Sequence, residues 1–238
     1  MRIVTWNCAG AFRKKAGQLA RFEPHLVVIQ ECERPEKLAF AADFQPESAC
    51  WFGDAGARKG VGVFGLGGVR AEAALDVYDP SIRHCIPLRV SGPGDNFNLV
   101  AVWAMPQKGD RGASYVGQVC LALERYHTFI QERDTLLLGD LNSNAIFDRP
   151  RRECNHTGVV ERLEQAGMVS LYHEYFHETH GQETHPTFYL TKKAARPFHL
   201  DYCFAPRAWS ERVTAFSVGE FEEWRPWSDH VPLFVEFM

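Results

Sequence analysis

None of the seven cysteines (Cys8, Cys32, Cys50, Cys85, Cys120, Cys154, Cys203) belongs to a Cys-x-x-Cys pair or a zinc-type spacing. Odd in number and scattered, they read as free thiols of a reducing compartment. Positive charge is scarce as well. Lys and Arg number 26 against 30 Asp and Glu, a net charge of -4, which excludes the bulk positive field of a surface that wraps duplex nucleic acid. A local basic rim is still allowed, at Arg13-Lys14-Lys15, Arg149 to Arg152 or Lys192-Lys193, although short charge runs are usually solvated surface. No apolar run approaches the ~20 residues of a bilayer span, so membrane insertion is not expected. There is no Gly-x-Gly-x-x-Gly after a strand and no Gly-Lys-Ser/Thr, so a nucleotide cofactor has no support. Linkers, low-complexity stretches and internal repeats are also lacking, and a single domain over 1–238 is expected. A strand begins almost at once, at Ile3-Val4-Thr5-Trp6, and leaves no room for a signal peptide, so the cytoplasm is the expected location.

What is present is an ordinary globular composition, 45% hydrophobic, 24% charged and 13% aromatic. β-Branched and aromatic runs predict strands at 3–6, 26–29, 61–64, 85–90, 97–103, 135–138, 202–204, 213–218 and 233–237. Val116, Val119, Cys120, Leu123 and Ile130 follow a 3.6-residue period and predict a helix over 114–131. A second helix is expected over 158–166, stopped by Gly167. Many strands with few helices between them do not make a Rossmann alternation; two stacked sheets with helices outside fit better.

Polar residues cluster where these strands end. Asn7 follows the first strand, Gln30-Glu31 the second, and Asp140 and Asn142 follow Leu136-Leu137-Leu138-Gly139. Asp201 opens Tyr202-Cys203-Phe204, and Ser228-Asp229-His230 precedes the last apolar segment. Taken singly, Glu31, Asp140 or Asp229 suits a cap or a turn, and His230 a satisfied core histidine. Together, four carboxylates at buried strand ends would repel one another unless a cation neutralised them. Oxygen ligands of this kind favour Mg²⁺ or Mn²⁺, which keep open positions for a phosphate.

The series Thr-Trp-Asn-Cys-Ala-Gly, Gln-Glu, Gly-Asp-Leu-Asn-Ser, His-Leu-Asp-Tyr and Ser-Asp-His, spanning residues 5 to 230, closely resembles the endonuclease/exonuclease/phosphatase superfamily. The resemblance implies a four-layered α/β sandwich, two stacked mixed β-sheets flanked by helices, with the active site at one end of the sheets. It implies Glu31 as the principal Mg²⁺ ligand, with Asn7 beside it. Asp140 would orient and deprotonate the attacking water, and Asn142 would donate to a phosphorus-bound oxygen. Asp201 and His230 resemble the family's carboxylate-histidine pair, in which the acid fixes the tautomer and favours imidazolium. Asp229 would be a metal ligand or a water-orienting group.

The sequence departs from its relatives in two places. Ala9 stands where many of them carry an acid, and Trp103 stands where many place a His or Tyr at the end of a central strand. Trp103, Trp224 and Trp227 are candidates for stacking on bases, although aromatics are more often core. Arg149 and Arg151 are the expected substrate-binding rim, since Arg suits bidentate phosphate contact. His173, His177, His180 and His185 superficially suggest a transition-metal site, but Gly181 and Pro186 argue for a loop. The expected activity is hydrolysis of a nucleic-acid phosphodiester by a Mg²⁺- or Mn²⁺-assisted water. The acidic charge leans towards a small, single-stranded or damaged substrate. A phosphomonoesterase or lipid or inositol-phosphate hydrolase is the alternative, and an inactive phosphate-binding module a second one; a monomer is expected.

Overall fold

Strands that read as near-continuous apolar runs are buried on both faces, and this governs the architecture. The computed structural model describes residues 1–107, 112, 115–150, 152 and 154–238. In chain order the first strands are β1 (Arg2–Asn7), β2 (Leu26–Glu33), β3 (Ser48–Phe52), β4 (Lys59–Gly65), β5 (Arg70–Ala73), β6 (Cys85–Ser91) and β7 (Asn96–Trp103). The rest are β8 (Thr135–Asp140), β9 (Met168–Ser170), β10 (Phe188–Tyr189), β11 (Pro197–Phe198), β12 (Asp201–Pro206), β13 (Val213–Val218) and β14 (Leu233–Phe237). One six-stranded sheet has the order β13-β14-β1-β2-β4-β3 and the other β5-β6-β7-β8-β12-β9, while β10 and β11 form a small ribbon. Each large sheet is mixed: β1 runs parallel to β2 and β7 parallel to β8 within otherwise antiparallel pairings.

The side-chain period of two sorts each strand between layers. Ile3, Leu26, Val28, Leu136 and Leu138 point into the core between the sheets. Their neighbours Val4, Val27 and Ile29 pack outward with Trp6, Phe12, Leu19, Phe44 and Trp224. Leu137 and Tyr202 pack outward on the other sheet, under Val119, Leu123, Val159 and Leu163 of the helices Val116–Arg125 and His156–Gln165. With roughly 1.5–3 kcal/mol gained per buried large aliphatic side chain, both faces of each sheet contribute to stability. The expected sandwich is thus present.

Several expectations need correction. The helix predicted over 114–131 is two, Val116–Arg125 and His127–Glu132, broken at Tyr126, whose hydroxyl is tied to Cys85 O at 3.2 Å; residue 114 lies outside the described residues. The cysteines are not all free thiols. Packing of Val116–Arg125 against His156–Gln165 brings Cys120 and Cys154 together as a disulfide, while Cys8, Cys32, Cys50, Cys85 and Cys203 are free. The cysteines therefore do not mark a reducing compartment. Among the described residues no helix is long and apolar enough to cross a membrane. The run at 13–15 is mostly internal bracing: Arg13 pairs with Glu33 at 2.7 Å, and Lys15 Nζ donates to Cys8 O and Trp227 O at 2.5 and 2.6 Å.

Gly139 has a positional meaning within β8. Its φ is +138°, and a Cβ there would lie 2.0 Å from Val102 O and 2.9 Å from the Gln30 side chain. The residue before Asp140 must therefore be glycine for β7, β8 and β2 to close together. Gly139→Ala is expected to destabilise the protein by at least about 2 kcal/mol in denaturant titration; an unchanged midpoint would contradict this close packing.

Candidate active site

The strand ends that carry the polar residues meet at one edge of the sandwich. The end of β1 reaches across to the end of β8, where Asn7 Nδ2 donates to Asp140 Oδ2 at 3.0 Å. Because β8 and β12 are antiparallel, the last residue of one lies opposite the first of the other, and Asp140 faces Asp201 in register. His230 sits between them, with Nδ1 2.8 Å from Asp201 Oδ2 and Nε2 3.9 Å from Asp140 Oδ2. All three side chains are buried.

The surrounding loops hold these groups through hydrogen bonds. Asn142 N donates to Asp140 Oδ1 at 2.8 Å, and Asn142 Nδ2 donates to Asp140 Oδ2 and Ala104 O at 2.9 and 2.8 Å. Asn142 takes a left-handed φ of +46°, which a short amide side chain tolerates. Thr187 Oγ1 accepts from the Leu200 and Asp201 N–H groups at 2.9 and 3.0 Å. Ser228 Oγ donates to Asn7 O at 2.7 Å and accepts from His230 N at 3.1 Å. Phe188 lies against the His230 ring at 4.6 Å between centroids.

Electrostatics distinguish the groups. Burial pushes the Asp140 carboxyl well above the ordinary 3.8, reinforced by Asp201 and opposed by His230, Asn7 and Asn142. Burial alone would lower His230, but Asp201 and Asp140 outweigh it and the net shift is upward from 6.5. The arrangement favours imidazolium beside a carboxylate more basic than usual. Cys8 is no competing nucleophile, because burial pushes its thiol up to about 12.

The structure thus brings Asn7, Asp140, Asn142, Asp201 and His230 together. Glu31 lies near the Asn7 end, one residue past Gln30, the register partner of Asn7. It sits at an irregularity of the β2–β4 pairing with φ +56°, and its Oε2 meets Lys59 Nζ at 2.5 Å. Asp229 is half-buried, with Ser228 Oγ 3.4 Å from its Oδ1. Trp103 is the register partner of Asp140, but the residue is 6% exposed and its ring packs in the inter-sheet core against His84 at 5.0 Å. The expected stacking face is therefore mostly covered, and Trp224 is likewise buried against Trp6. Arg151 lies outside the described residues, and Arg149 is exposed. It is Arg152 that lines a cleft of about 140 Å³ beside Asn142, with Asn144, Phe147 and His156.

The 173–185 segment is not simply a loop. His173 lies in the helix Leu171–Phe176, and His177 ends it in a left-handed conformation. Further inside, burial pushes His156 and His199 down to about 4. Sequence reasoning missed Lys59 and Glu183, which no motif marks, and named Ser228 within the Ser-Asp-His motif without giving it a role.

The donors at this edge are those of a hard divalent cation's site. Asp201 Oδ1 is buried with no hydrogen-bond partner, and Asp140 is a desolvated carboxylate. Carboxylate and amide oxygens suit Mg²⁺ or Mn²⁺, so the residues fit. Asp140, Asp201 and His230 each offer a ligand atom within 4.8 Å of the others. The 2.8 Å Asp201–His230 bond already occupies that pair with each other.

The sequence model of the Endonuclease/Exonuclease/phosphatase family matches residues 4–230. No curated protein matches the chain by sequence. An AP endonuclease from Archaeoglobus fulgidus superposes with a TM-score of 0.71 at 19% identity, over 100% of this chain and 99% of that one. A 3′-5′ exonuclease from Neisseria meningitidis gives 0.68 at 20% identity, over 100% and 99%. A Neisseria 3′ phosphatase bound to a product DNA hairpin gives 0.67 at 18%, with the same coverage. At these identities the likeness speaks for the fold.

Asp201 and His230 are expected to act as a unit. Each single change to Ala should lose most of the rate on an aryl phosphodiester, and the double change should lose little more. Independent, multiplying losses in steady-state kinetics would count against the pairing.

Proposed function

The chain belongs to the endonuclease/exonuclease/phosphatase family, and on that premise we propose that it is a Mg²⁺- or Mn²⁺-dependent hydrolase of nucleic-acid phosphodiesters. The observation that carries the reading is His230 braced by Asp201 at 2.8 Å with its other nitrogen turned to Asp140 at 3.9 Å. Asp140, made more basic by burial, orients and deprotonates the attacking water. His230, held as imidazolium, stabilises the negative charge that grows on the phosphate oxygens. Asn7 and Asn142 are amide donors aimed at the Asp140 carboxylate and would orient it; Asn7 donates one of its two Nδ2 hydrogens there, whereas Asn142, which also donates to Ala104 O, would have to release one bond to meet a phosphate oxygen. Glu31 and Asp229 would hold the cation, which supplies charge neutralisation and a point of attachment for the phosphate.

Nucleic acid is preferred as substrate because the structurally similar proteins include enzymes named for cleaving it. The net charge of -4 argues against a long duplex footprint and for a strand end, a single strand or a damaged site. Arg152, on the cleft beside Asn142, is the basic side chain best placed for a phosphate flanking the reacting one. A phosphomonoesterase or a lipid or inositol-phosphate hydrolase is the competing substrate class.

The test is a screen of single-stranded, hairpin and abasic-site oligonucleotides against phosphoinositides and para-nitrophenyl phosphate, with Asp140→Asn as the blank. Oligonucleotide cleavage that chelator abolishes and Mg²⁺ or Mn²⁺ restores is expected. Glu31→Gln should demand at least about tenfold more metal for half-maximal rate. Turnover confined to phosphoinositides or monoesters would overturn the substrate class, and full activity in excess chelator would overturn the metal requirement.

A further inference from the structure

A second polar cluster lies behind the catalytic loops, and the phosphoesterase chemistry uses none of it. His173, His180 and Glu183 each offer a ligand atom within 4.8 Å of the other two. His173 Nε2 is 3.2 Å from Glu183 Oε1, and their side chains are 9% and 3% exposed. His180 Nδ1 is in turn 3.1 Å from Nε2 of His156. We propose that His173, His180 and Glu183, with His156 adjoining, form a second cation site for a transition metal of the Zn²⁺ type, distinct from the oxygen-lined catalytic centre.

The donor set separates the two centres. Mg²⁺ and Mn²⁺ are matched by carboxylate and amide oxygens, whereas imidazole nitrogens with one carboxylate select Zn²⁺ and its neighbours. The carboxylate is already oriented: Glu183 accepts from Gly181 N through both oxygens at 3.1 Å and from Asn144 Nδ2 at 3.1 Å. The histidines also have the outer partners that ligating imidazoles need. His173 Nδ1 lies 2.7 Å from Ser170 Oγ, and His156 Nδ1 lies 2.9 Å from Ser143 Oγ. When His173 Nε2 turns its lone pair to a cation, the ring carries its one proton on Nδ1 and donates that N–H to Ser170 Oγ, so the ligating tautomer is neutral and its donor is satisfied.

A second observation points the same way. His199, 4% exposed, directs Nδ1 at His185 O at 2.8 Å. A carbonyl only accepts, so Nδ1 carries the proton and Nε2 presents a bare lone pair. That nitrogen is buried with no partner, and the ring lies 6.1 Å from that of His173 between centroids. A buried unsatisfied acceptor is costly, and a neighbouring cation or its bound water would relieve it. Asn144 Nδ2 also donates to His199 O at 3.0 Å. A cation here therefore braces the segment 171–185 against the turns that carry Asp140 and Asp201.

The test is metal analysis of the untagged full chain, followed by Zn²⁺ titration by calorimetry and Co²⁺ substitution. Roughly one Zn²⁺ per chain is expected, with visible d–d absorption on Co²⁺ loading. His180→Gln and Glu183→Gln, checked for folding by circular dichroism, should bind Zn²⁺ at least about tenfold more weakly. Asp140→Asn and Glu31→Gln should bind it as the parent does, which keeps this site's failure separate from that of the catalytic reading. Absence of Zn²⁺ binding by the parent chain would overturn the proposal. So would unaltered affinity in both cluster variants, or loss of Zn²⁺ in the catalytic variants.

Discussion

Asp140 and Asp201 stand opposite each other on paired antiparallel strands, and both carboxyl groups are buried. Two desolvated negative charges at that spacing are untenable unless a positive charge or protons intervene. His230 supplies the positive charge, bonded to one acid and close to the other. Removing one member of such a buried ionic group typically costs about 3–5 kcal/mol, because the remaining charge is left without a partner. The stability of this edge, and the chemistry proposed for it, therefore rest on the same three side chains.

Much of the rest of the fold can be read as support for that constraint. Gly139 lets β8 pass close enough to β7 and Gln30 for Asp140 to emerge at the shared edge. Thr187 fixes the start of β12 at Asp201, Ser228 ties the His230 turn to the end of β1, and Lys15 clamps Cys8 O to Trp227 O. The same lysine, in a run that looks like a surface basic patch, is thus an internal clamp. On the outer side of the site the Lys59–Glu31 pair places a half-exposed ammonium beside the expected metal ligand. On the proposed reading, a bound cation would compete with Lys59 for that carboxylate.

The sandwich and the meeting of Asn7, Asp140, Asn142, Asp201 and His230 were legible because they rest on strong local signals. Strands such as Leu136-Leu137-Leu138 are apolar on both faces, and the polar residues that terminate them stand out against that background. Strands β3 and β5 were invisible for the opposite reason: Ser48–Phe52 is only half-buried, and Arg70-Ala71-Glu72-Ala73 has no β-branched residue. The Cys120–Cys154 disulfide, the burial of Trp103 and the meeting of His156 with His180 depend on which elements pack together. No spacing in the sequence encodes those contacts. Glu183 illustrates the point, since nothing local marks it out from the other glutamates. Only the fold brings it to His173 and Asn144.

The most direct measurement is an NMR titration of the His230 imidazole in metal-free protein, assigned by comparison with His230→Gln. The Asp201 and Asp140 carboxylates raise its proton affinity, so the ring should stay charged well above pH 6.5. Its contribution to stability should be complete below the unfolded value and lost only as pH rises through the higher folded one. Asp201→Asn should bring the midpoint down. A His230 that titrates at or below 6.5 in the parent chain, or one indifferent to Asp201→Asn, would contradict a charged histidine held between two buried acids.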